Sequence, residues 1–270
     1  MPELPEVESV ARTLRDGMPS LIGKTVQSVR ILRANVINGD GAAFCDQMQG
    51  ARFVALQRHG KYLFFCLHTA TGSSRWLALH LRMTGRLFLV DAAQAKAQHT
   101  RLVCGLDGNL ALRFDDPRAF GRAWLIKEPS EVTTGLGPDA LSIDEAWFMK
   151  RLTEQRRQLK PLLLDQSFVA GLGNIYVDES LFRAGLHPLC RTDQLRDKDR
   201  QRLYGAIHDV LDQAVACQGA NIDGVFEAGN FPVAVYGSTG CPCPVCGTGI
   251  VKIRVGQRGT HLCPRCQEMQ

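Results

Sequence analysis

The sequence predicts an α+β multidomain chain: an N-terminal β-sandwich behind an N-terminal helix, then a helical domain, then a β-hairpin ribbon built on four cysteines. Three observations carry this. Short β-branched, aromatic or leucine-rich runs separated by turn residues fill the first half. Beyond Gly135-Leu136-Gly137-Pro138-Asp139 the apolar spacing changes to that of helices. Two Cys-x-x-Cys knuckles close the chain, and five of its ten cysteines fall between Cys241 and Cys266. Domains are expected at 1–128, 142–231 and 232–270, with a linker at 129–141. An all-β half followed by an all-α half argues for separate domains with a groove between them.

Composition bounds the function classes. Of 270 residues, 45% are hydrophobic and 22% charged, which is ordinary for a globular chain. The net charge of +5 allows an acidic partner without demanding one. No apolar run approaches the about 20 residues of a membrane span. Acids and prolines stand at the N-terminus where a signal peptide needs an apolar core, so export is not expected. Ten cysteines are too few for a disulfide scaffold of this length, which points to a reducing compartment.

In chain order, the first element is a helix. In Met1-Pro2-Glu3-Leu4-Pro5-Glu6-Val7-Glu8, proline suits a first helical turn and the acids favour the helix dipole. Val7, Val10, Ala11 and Leu14 then make one apolar face. Strands are expected at 25–32, 51–56, 62–67, 76–81, 86–90, 101–106, 110–114 and 123–126. His59-Gly60, Thr71-Gly72-Ser73, Asp107-Gly108-Asn109 and Asp115-Asp116-Pro117 mark turns between them. Ser142-Ile143-Asp144-Glu145 reads as a capping box for a helix running to about Arg156. Helices are expected at 160–165 and 175–184, and Leu203, Ile207, Val210, Leu211 and Ala214 mark a buried face of another.

The cysteines come last. Cys243-Pro244-Val245-Cys246 and Cys263-Pro264-Arg265-Cys266 are separated by sixteen residues, the pattern of a structural zinc site. Four thiolates in tetrahedral array would hold one Zn²⁺ and leave no open position for catalysis. A redox-active pair is the competitor, and paired knuckles at this spacing disfavour it. Cys241 is an extra thiol that could shift the register, although Cys243 makes the better knuckle. Strand-like runs at 250–255 and 260–262 suggest a hairpin too small for a core of its own, so its folding should depend on metal. Lys252, Arg254, Arg258 and Arg265 lie on or beside it, and Glu268 is the only acid from Cys243 onward. These cations suit a phosphate reader or an ordinary solvated face.

The N-terminus also carries chemistry. With Met1 removed, the chain begins with the secondary amine of Pro2, flanked by Glu3 and with Glu6 one helical turn away. A secondary amine that attacks a carbonyl-like carbon forms a cationic iminium, an electron sink, much as tuned lysines do. An α-amino group titrates near ~7.7–8.0, which leaves a neutral fraction at pH 7. A neighbouring carboxyl can carry the proton for general acid chemistry. The same residues also suit a plain helix start.

Pro2-Glu3-Leu4-Pro5-Glu6, Gly171-Leu172-Gly173-Asn174-Ile175-Tyr176 and the four-cysteine ribbon, in this order, resemble the bacterial formamidopyrimidine-DNA glycosylases of the superfamily that includes the endonuclease VIII-like enzymes. The resemblance spans essentially the whole chain. Leu4 and Asn174-Ile175-Tyr176 match the formamidopyrimidine branch; the other branch usually has glycine in place of Leu4. The resemblance implies a bifunctional DNA glycosylase and abasic-site lyase of base excision repair, a cytoplasmic, nucleoid-associated monomer acting on double-stranded DNA. It implies Pro2 as nucleophile on the anomeric carbon, Glu3 as the acid at the sugar ring oxygen, Glu6 as a supporting carboxylate and Lys61 as a phosphate contact near the lesion. The iminium would make neighbouring sugar protons acidic, so that β- and δ-elimination cut the strand on both sides. Gly171, Gly173 and Asn174 resemble the family's helix–two-turn–helix, where glycines and a helix start suit phosphate. Arg258 matches its ribbon arginine.

A base within a duplex has to be flipped out to be reached. The family fills the vacated space with a Met, an Arg and a Phe, which Met83, Arg118 and Phe120 match. Such wedges unstack a base step, and arginine can pair with the orphaned base edge. Core packing is the alternative for Met83 and Phe120, although both stand in glycine-flanked turns. Three positions depart from the family pattern. Ala119 replaces a second arginine, His261 replaces a phenylalanine, and the 219–236 segment is shorter than, and unlike, the loop that closes over 8-oxoguanine. The last departure leads us to expect formamidopyrimidines, other oxidised bases or abasic sites to be processed at least as well as 8-oxoguanine. A damage- or abasic-site-binding protein without turnover, and a general nucleic-acid binder, are the competing functions.

Overall fold

This computed structural model describes residues 2–269 apart from Asp223 and Val225. The chain divides into two compact units, Met1–Thr134 with Ile222–Glu227, and Gly135–Asn221 with Ala228–Gln270.

The first unit opens with α1 (Leu4–Asp16), capped at Glu3 and with proline in its first turn, where a missing N–H breaks no helical bond. Leu4, Val7, Ala11 and Leu14 are buried, and Val10 packs at the edge of the core. The elements that follow are β1 (Val26–Ile31), α2 (Gly41–Met48), β2 (Arg52–His59), β3 (Tyr62–His68), β4 (Ser74–His80), β5 (Arg86–Asp91), β6 (Thr100–Leu106), β7 (Leu110–Asp115), β8 (Arg122–Ile126) and the single turn α3 (Ser130–Thr133). The strands form two antiparallel four-stranded sheets, ordered β1-β6-β7-β5 and β2-β3-β4-β8. Phe53, Leu63, Phe65, Leu77 and Leu79 from one sheet meet Val26, Leu102, Leu106, Leu112 and Phe114 from the other in one core, which also takes Val7, Ala11 and Leu14 of α1. All eight expected strands are present, and α2 is an element the sequence reading did not include. Asp40 caps α2 through Ala42 N–H, and Phe44 and Met48 anchor it.

The second unit contains α4 (Glu145–Thr153), α5 (Leu159–Leu163), α6 (Asn174–Arg183), α7 (Asp197–Ala216) and a hairpin of β9 (Val251–Val255) and β10 (Arg258–Leu262). Leu203, Ile207, Val210, Leu211 and Ala214 are buried on α7, as their spacing predicts. The expected start and end of α4 need correction. Asp144, not Ser142, is the N-cap, accepting from Trp147 N–H at 2.9 Å. Ile143 is buried ahead of the helix, and aspartate caps as well as serine. The helix stops at Thr153, short of Arg156, because the following residues pair elsewhere. Thr192 donates its hydroxyl to Gln155 O and its N–H to Arg157 O.

Candidate functional site

Pro2 is buried at the head of α1, and Glu3 and Glu6 are each 1% exposed. The two glutamates form a capping box in which Glu6 Oε2 accepts from Glu3 N–H at 2.8 Å. Glu6 thereby fixes the backbone of the residue that follows Pro2. The helix start and the chemical constellation are therefore the same structure.

Lys61 sits with Gly60 in the two-residue turn between β2 and β3. Gly60 has φ +56, a left-handed conformation that glycine adopts freely. Arg58 reaches from β2 to both sides of the site. Its Nε donates to Glu8 Oε2 of α1 at 2.7 Å and its Nη1 to Gly60 O at 2.9 Å. The Glu8–Arg58–Gly60 chain thus ties the Lys61 turn to the helix that carries Pro2. The sequence reading missed Glu8 and Arg58, because a pairing across 50 residues leaves no local signal.

Met83 lies in the turn between β4 and β5, and Arg118 and Phe120 in the turn between β7 and β8. Met83 is 37% and Phe120 46% exposed, which rules out core packing for both. The Arg118 guanidinium lies 4.8 Å from the centre of the Phe120 ring. Ala119 between them has φ +54. Beneath the first turn, His80 Nδ1 accepts from Arg82 N–H at 2.9 Å. Burial, aided by the Arg82 and Lys61 charges, pushes the His80 imidazole down to about 3, so it stays a neutral acceptor.

In the second unit the turn between α5 and α6 contains Gly171 and Gly173, both buried. Gly171 has φ +112, and its N–H donates to Gln166 Oε1 at 3.0 Å. Gln166 also donates to Leu164 O and Leu172 O, a staple the sequence reading did not find. Gly173 caps α6, and Asn174 is its first residue. Asn174 Nδ2 donates to Gly259 O at 3.1 Å. The same carbonyl accepts from Lys160 Nζ at 3.0 Å. Lys160 is fully buried and pairs with the equally buried Asp178 at 2.6 Å, and Asp178 accepts from His261 N–H at 2.9 Å. Burial pushes the Asp178 carboxyl up to about 6, against the pull of Lys160. These contacts hold β10 to α5 and α6 on either side of Gly259, next to the exposed Arg258. His261 is buried edge-on against the Tyr236 ring at 5.0 Å, filling an aromatic role.

The ribbon brings Cys243, Cys246, Cys263 and Cys266 together, with their sulfurs all within 4.8 Å of one another. Tetrahedral zinc with Zn–S of about 2.3 Å would space its sulfurs by about 3.8 Å. The Cys243–Cys266 and Cys246–Cys263 separations are 3.9 and 3.4 Å, so the donors fit such an ion. Val245 N–H points at Cys243 Sγ and Cys266 N–H at Cys263 Sγ, the support a thiolate needs. Cys241 is exposed and outside the cluster. No described helix is long and apolar enough to cross a membrane.

Segment 222–227, within the departing loop, clusters with the first unit, where Phe226 packs on the core and Arg86 donates to Gly224 O. Asp223 and Val225 of that loop lie outside the described residues, as does Met1.

Three family models match these parts of the chain: the formamidopyrimidine-DNA glycosylase N-terminal domain at residues 1–123, the H2TH domain of the same enzymes at 135–224, and a zinc finger found in FPG and IleRS at 240–268. A formamidopyrimidine-DNA glycosylase of Enterococcus faecalis is 41% identical over 100% of this chain and 98% of its own length. One from Rippkaea orientalis is 39% identical over 99% of this chain and all of its own. A Lactococcus lactis Fpg solved with DNA containing an abasic site superposes with TM-score 0.91 at 33% identity, covering 99% of this chain and 100% of that one. A MutM solved with DNA containing carbocyclic 8-oxo-G gives TM-score 0.90 at 33% identity, with the same coverage of both chains. The chain belongs to the formamidopyrimidine-DNA glycosylase family.

Proposed function

We propose that this protein is a bifunctional DNA glycosylase and abasic-site lyase of base excision repair, acting on double-stranded DNA with oxidised or ring-opened bases or abasic sites. The observation that carries the reading is the N-terminal constellation: Pro2 directly ahead of a buried capping box formed by Glu3 and Glu6. Related proteins have been solved with abasic-site DNA and with a Fapy-dG lesion, which supports the substrate class.

With Met1 removed, the Pro2 nitrogen attacks the anomeric carbon and the base leaves with the glycosidic electron pair. Glu3 protonates the ring oxygen as the sugar opens, leaving an iminium joined to the enzyme. Loss of a proton from the adjacent sugar carbon expels the 3′ phosphate, and a second elimination expels the 5′ phosphate. Lys61, Asn174 and Arg258 contact backbone phosphates, with Gly171 and Gly173 shaping the turn ahead of Asn174. Met83, Arg118 and Phe120 occupy the space of the flipped nucleotide. Cys243, Cys246, Cys263 and Cys266 hold one structural Zn²⁺, which keeps the ribbon folded and takes no chemical step. The protein works as a cytoplasmic, nucleoid-associated monomer.

Sodium borohydride present during turnover should reduce the iminium and leave the protein covalently attached to DNA through Pro2 and no lysine. Retaining Met1 or adding an N-terminal tag should abolish the adduct, because the nitrogen becomes a tertiary amide. Glu3→Gln should strongly reduce base excision while leaving some cleavage at a preformed abasic site. Undiminished trapping with a blocked terminus would move the nucleophile to a lysine and overturn the reading.

A further inference from the structure

We infer that Asp116 and Thr84 lock the two turns carrying Met83, Arg118 and Phe120 into a single wedge, and so act as positioning residues for nucleotide flipping. The inference rests on the reading above for what the wedge does; the lock itself stands on geometry alone.

Asp116 is fully buried at the start of the second turn. One carboxylate oxygen accepts from the Thr84 hydroxyl in the first turn. The other accepts from Gly121 N–H at 2.7 Å, at the far end of its own turn. Thr84 Oγ1 in turn accepts from Arg118 N–H at 3.2 Å. The Asp116 backbone is equally committed. Its N–H donates to His99 O, and its carbonyl accepts from Ala119 N–H and from Arg101 Nε. A single side chain thereby fixes both ends of its own turn and one point of the other. Hydrogen bonds to a buried carboxylate are short, strong and costly to leave unmade.

Packing repeats the coupling from below. Phe114, 1% exposed, lies under both turns. A Cβ on Gly85 would stand 2.9 Å from its ring, and one on Gly121 would stand 2.3 Å from it. Each turn therefore needs a glycine where it crosses the same ring. A displacement of either turn disturbs the ring and the carboxylate that hold the other. The side chains assigned to the vacated space project from this base, and all three are exposed. Three side chains entering a duplex in one step need a common rigid mount, since each would otherwise lose its own freedom on insertion.

Thr84→Val removes the bridging hydroxyl at little change in volume, and Thr84→Ser should restore it. In the Thr84→Val protein, amide exchange should rise about tenfold or more in 81–85 and in 116–121 together, as expected for the loss of a hydrogen bond to a charged group. Exchange that rises in one turn only, or in neither, overturns the lock. With a duplex carrying 2-aminopurine beside the lesion, the fluorescence phase that reports flipping should slow about tenfold. Borohydride trapping on a single-stranded abasic site, where nothing must be flipped, should fall much less. Equal losses on both substrates would reduce Thr84 to a general stability role and overturn the positioning inference. If the wild-type protein traps neither substrate, the proposed function fails, and the exchange measurement still decides the lock.

Discussion

The two units hold their candidate functional side chains by opposite means. In the first, a large core between two sheets carries turns whose shapes are set by carboxylates on backbone N–H groups: Glu6 on Glu3, Asp116 on Gly121. In the second, the ribbon that presents Arg258 has a small core of Val235, Cys243, Ile250 and Cys263, with Phe182, Cys246 and Cys266 packed against it, so four of its seven members are the clustered cysteines. Its position depends on charges from α5 and α6: Lys160 and Asp178 on β10, and Glu179 on the N–H groups of Ala234, Val235 and Tyr236. The difference teaches where each unit is vulnerable. The first should stay folded on loss of a single contact, with any loosening confined to the turns that contact holds, because burial supports the rest. The ribbon has little apolar area to fall back on, and removing its metal or its buried charges should undo it as a whole.

The largest effect that would break or confirm this contrast is metal removal. Structural zinc in small domains supplies about 10 kcal/mol or more of folding free energy. Cys263→Ser, or a strong chelator, should release the ion, raise amide exchange throughout 251–262 and abolish DNA binding. Exchange in the sheets of the first unit should stay unchanged. Full metal retention in Cys263→Ser would remove that cysteine from the ligand set, and unfolding of both units together would erase the contrast.

A smaller effect is expected at the buried ion pair. Removing one partner leaves an uncompensated charge, which costs about 3–5 kcal/mol. Lys160→Met should do so by stranding Asp178, whose carboxyl burial already pushes up to about 6. Adding Asp178→Asn should recover most of the stability, because the amide oxygen still accepts from His261 N–H while the charge is gone. Denaturant midpoints for the wild type, single and double variants measure this directly. A single variant as stable as wild type would show that the ribbon is held by metal alone.

These dependences also mark what the sequence could reveal. The eight strands were legible because short β-branched, aromatic or leucine-rich runs bounded by turn residues are local signals. The cysteine cluster was legible because ligand spacing is local within each knuckle. α2 escaped, since Phe44 and Met48 are its only buried anchors and so short a helix shows no full period. At the site, Pro2, Glu3 and Glu6 could be picked out from five adjacent residues. The supports could not. Arg58 meets Glu8 across 50 positions, Thr84 meets Asp116 across 32 and Lys160 meets Asp178 across 18, and no local pattern announces such pairs. Asp116 in particular reads as a turn residue in Asp115-Asp116-Pro117, and only its full burial between two turns gives it another role.

The smallest and sharpest prediction concerns Arg258 itself. It opens β10 immediately after a two-residue turn, Gly256-Gln257, in which both residues have positive φ, the geometry that suits a tight hairpin. A Cβ on Gly256 would stand 3.0 Å from Pro161 of α5, so the turn is seated against that helix. On its other side Arg258 is followed by Gly259, whose carbonyl is held by Lys160 and Asn174. The arginine is thus an exposed cation on a backbone fixed from both directions, and little main-chain freedom remains to be lost when it meets a phosphate. Lys252 and Arg254 share the hairpin, yet Arg254 is already engaged with Gln257 Oε1. Arg258→Ala should therefore weaken binding to lesion-containing and plain duplexes alike, and should flatten the log–log salt dependence by about 0.9, the value for one phosphate contact. Arg254→Ala should change that slope less. In the Lys160→Met protein, where the mount of Gly259 is loosened, Arg258→Ala should cost less affinity than in wild type, since the side chain has lost its fixed base. Equal costs in both backgrounds would mean that the arginine finds its phosphate without the buried pair, and the ribbon would then be less dependent on its supports than its small core implies.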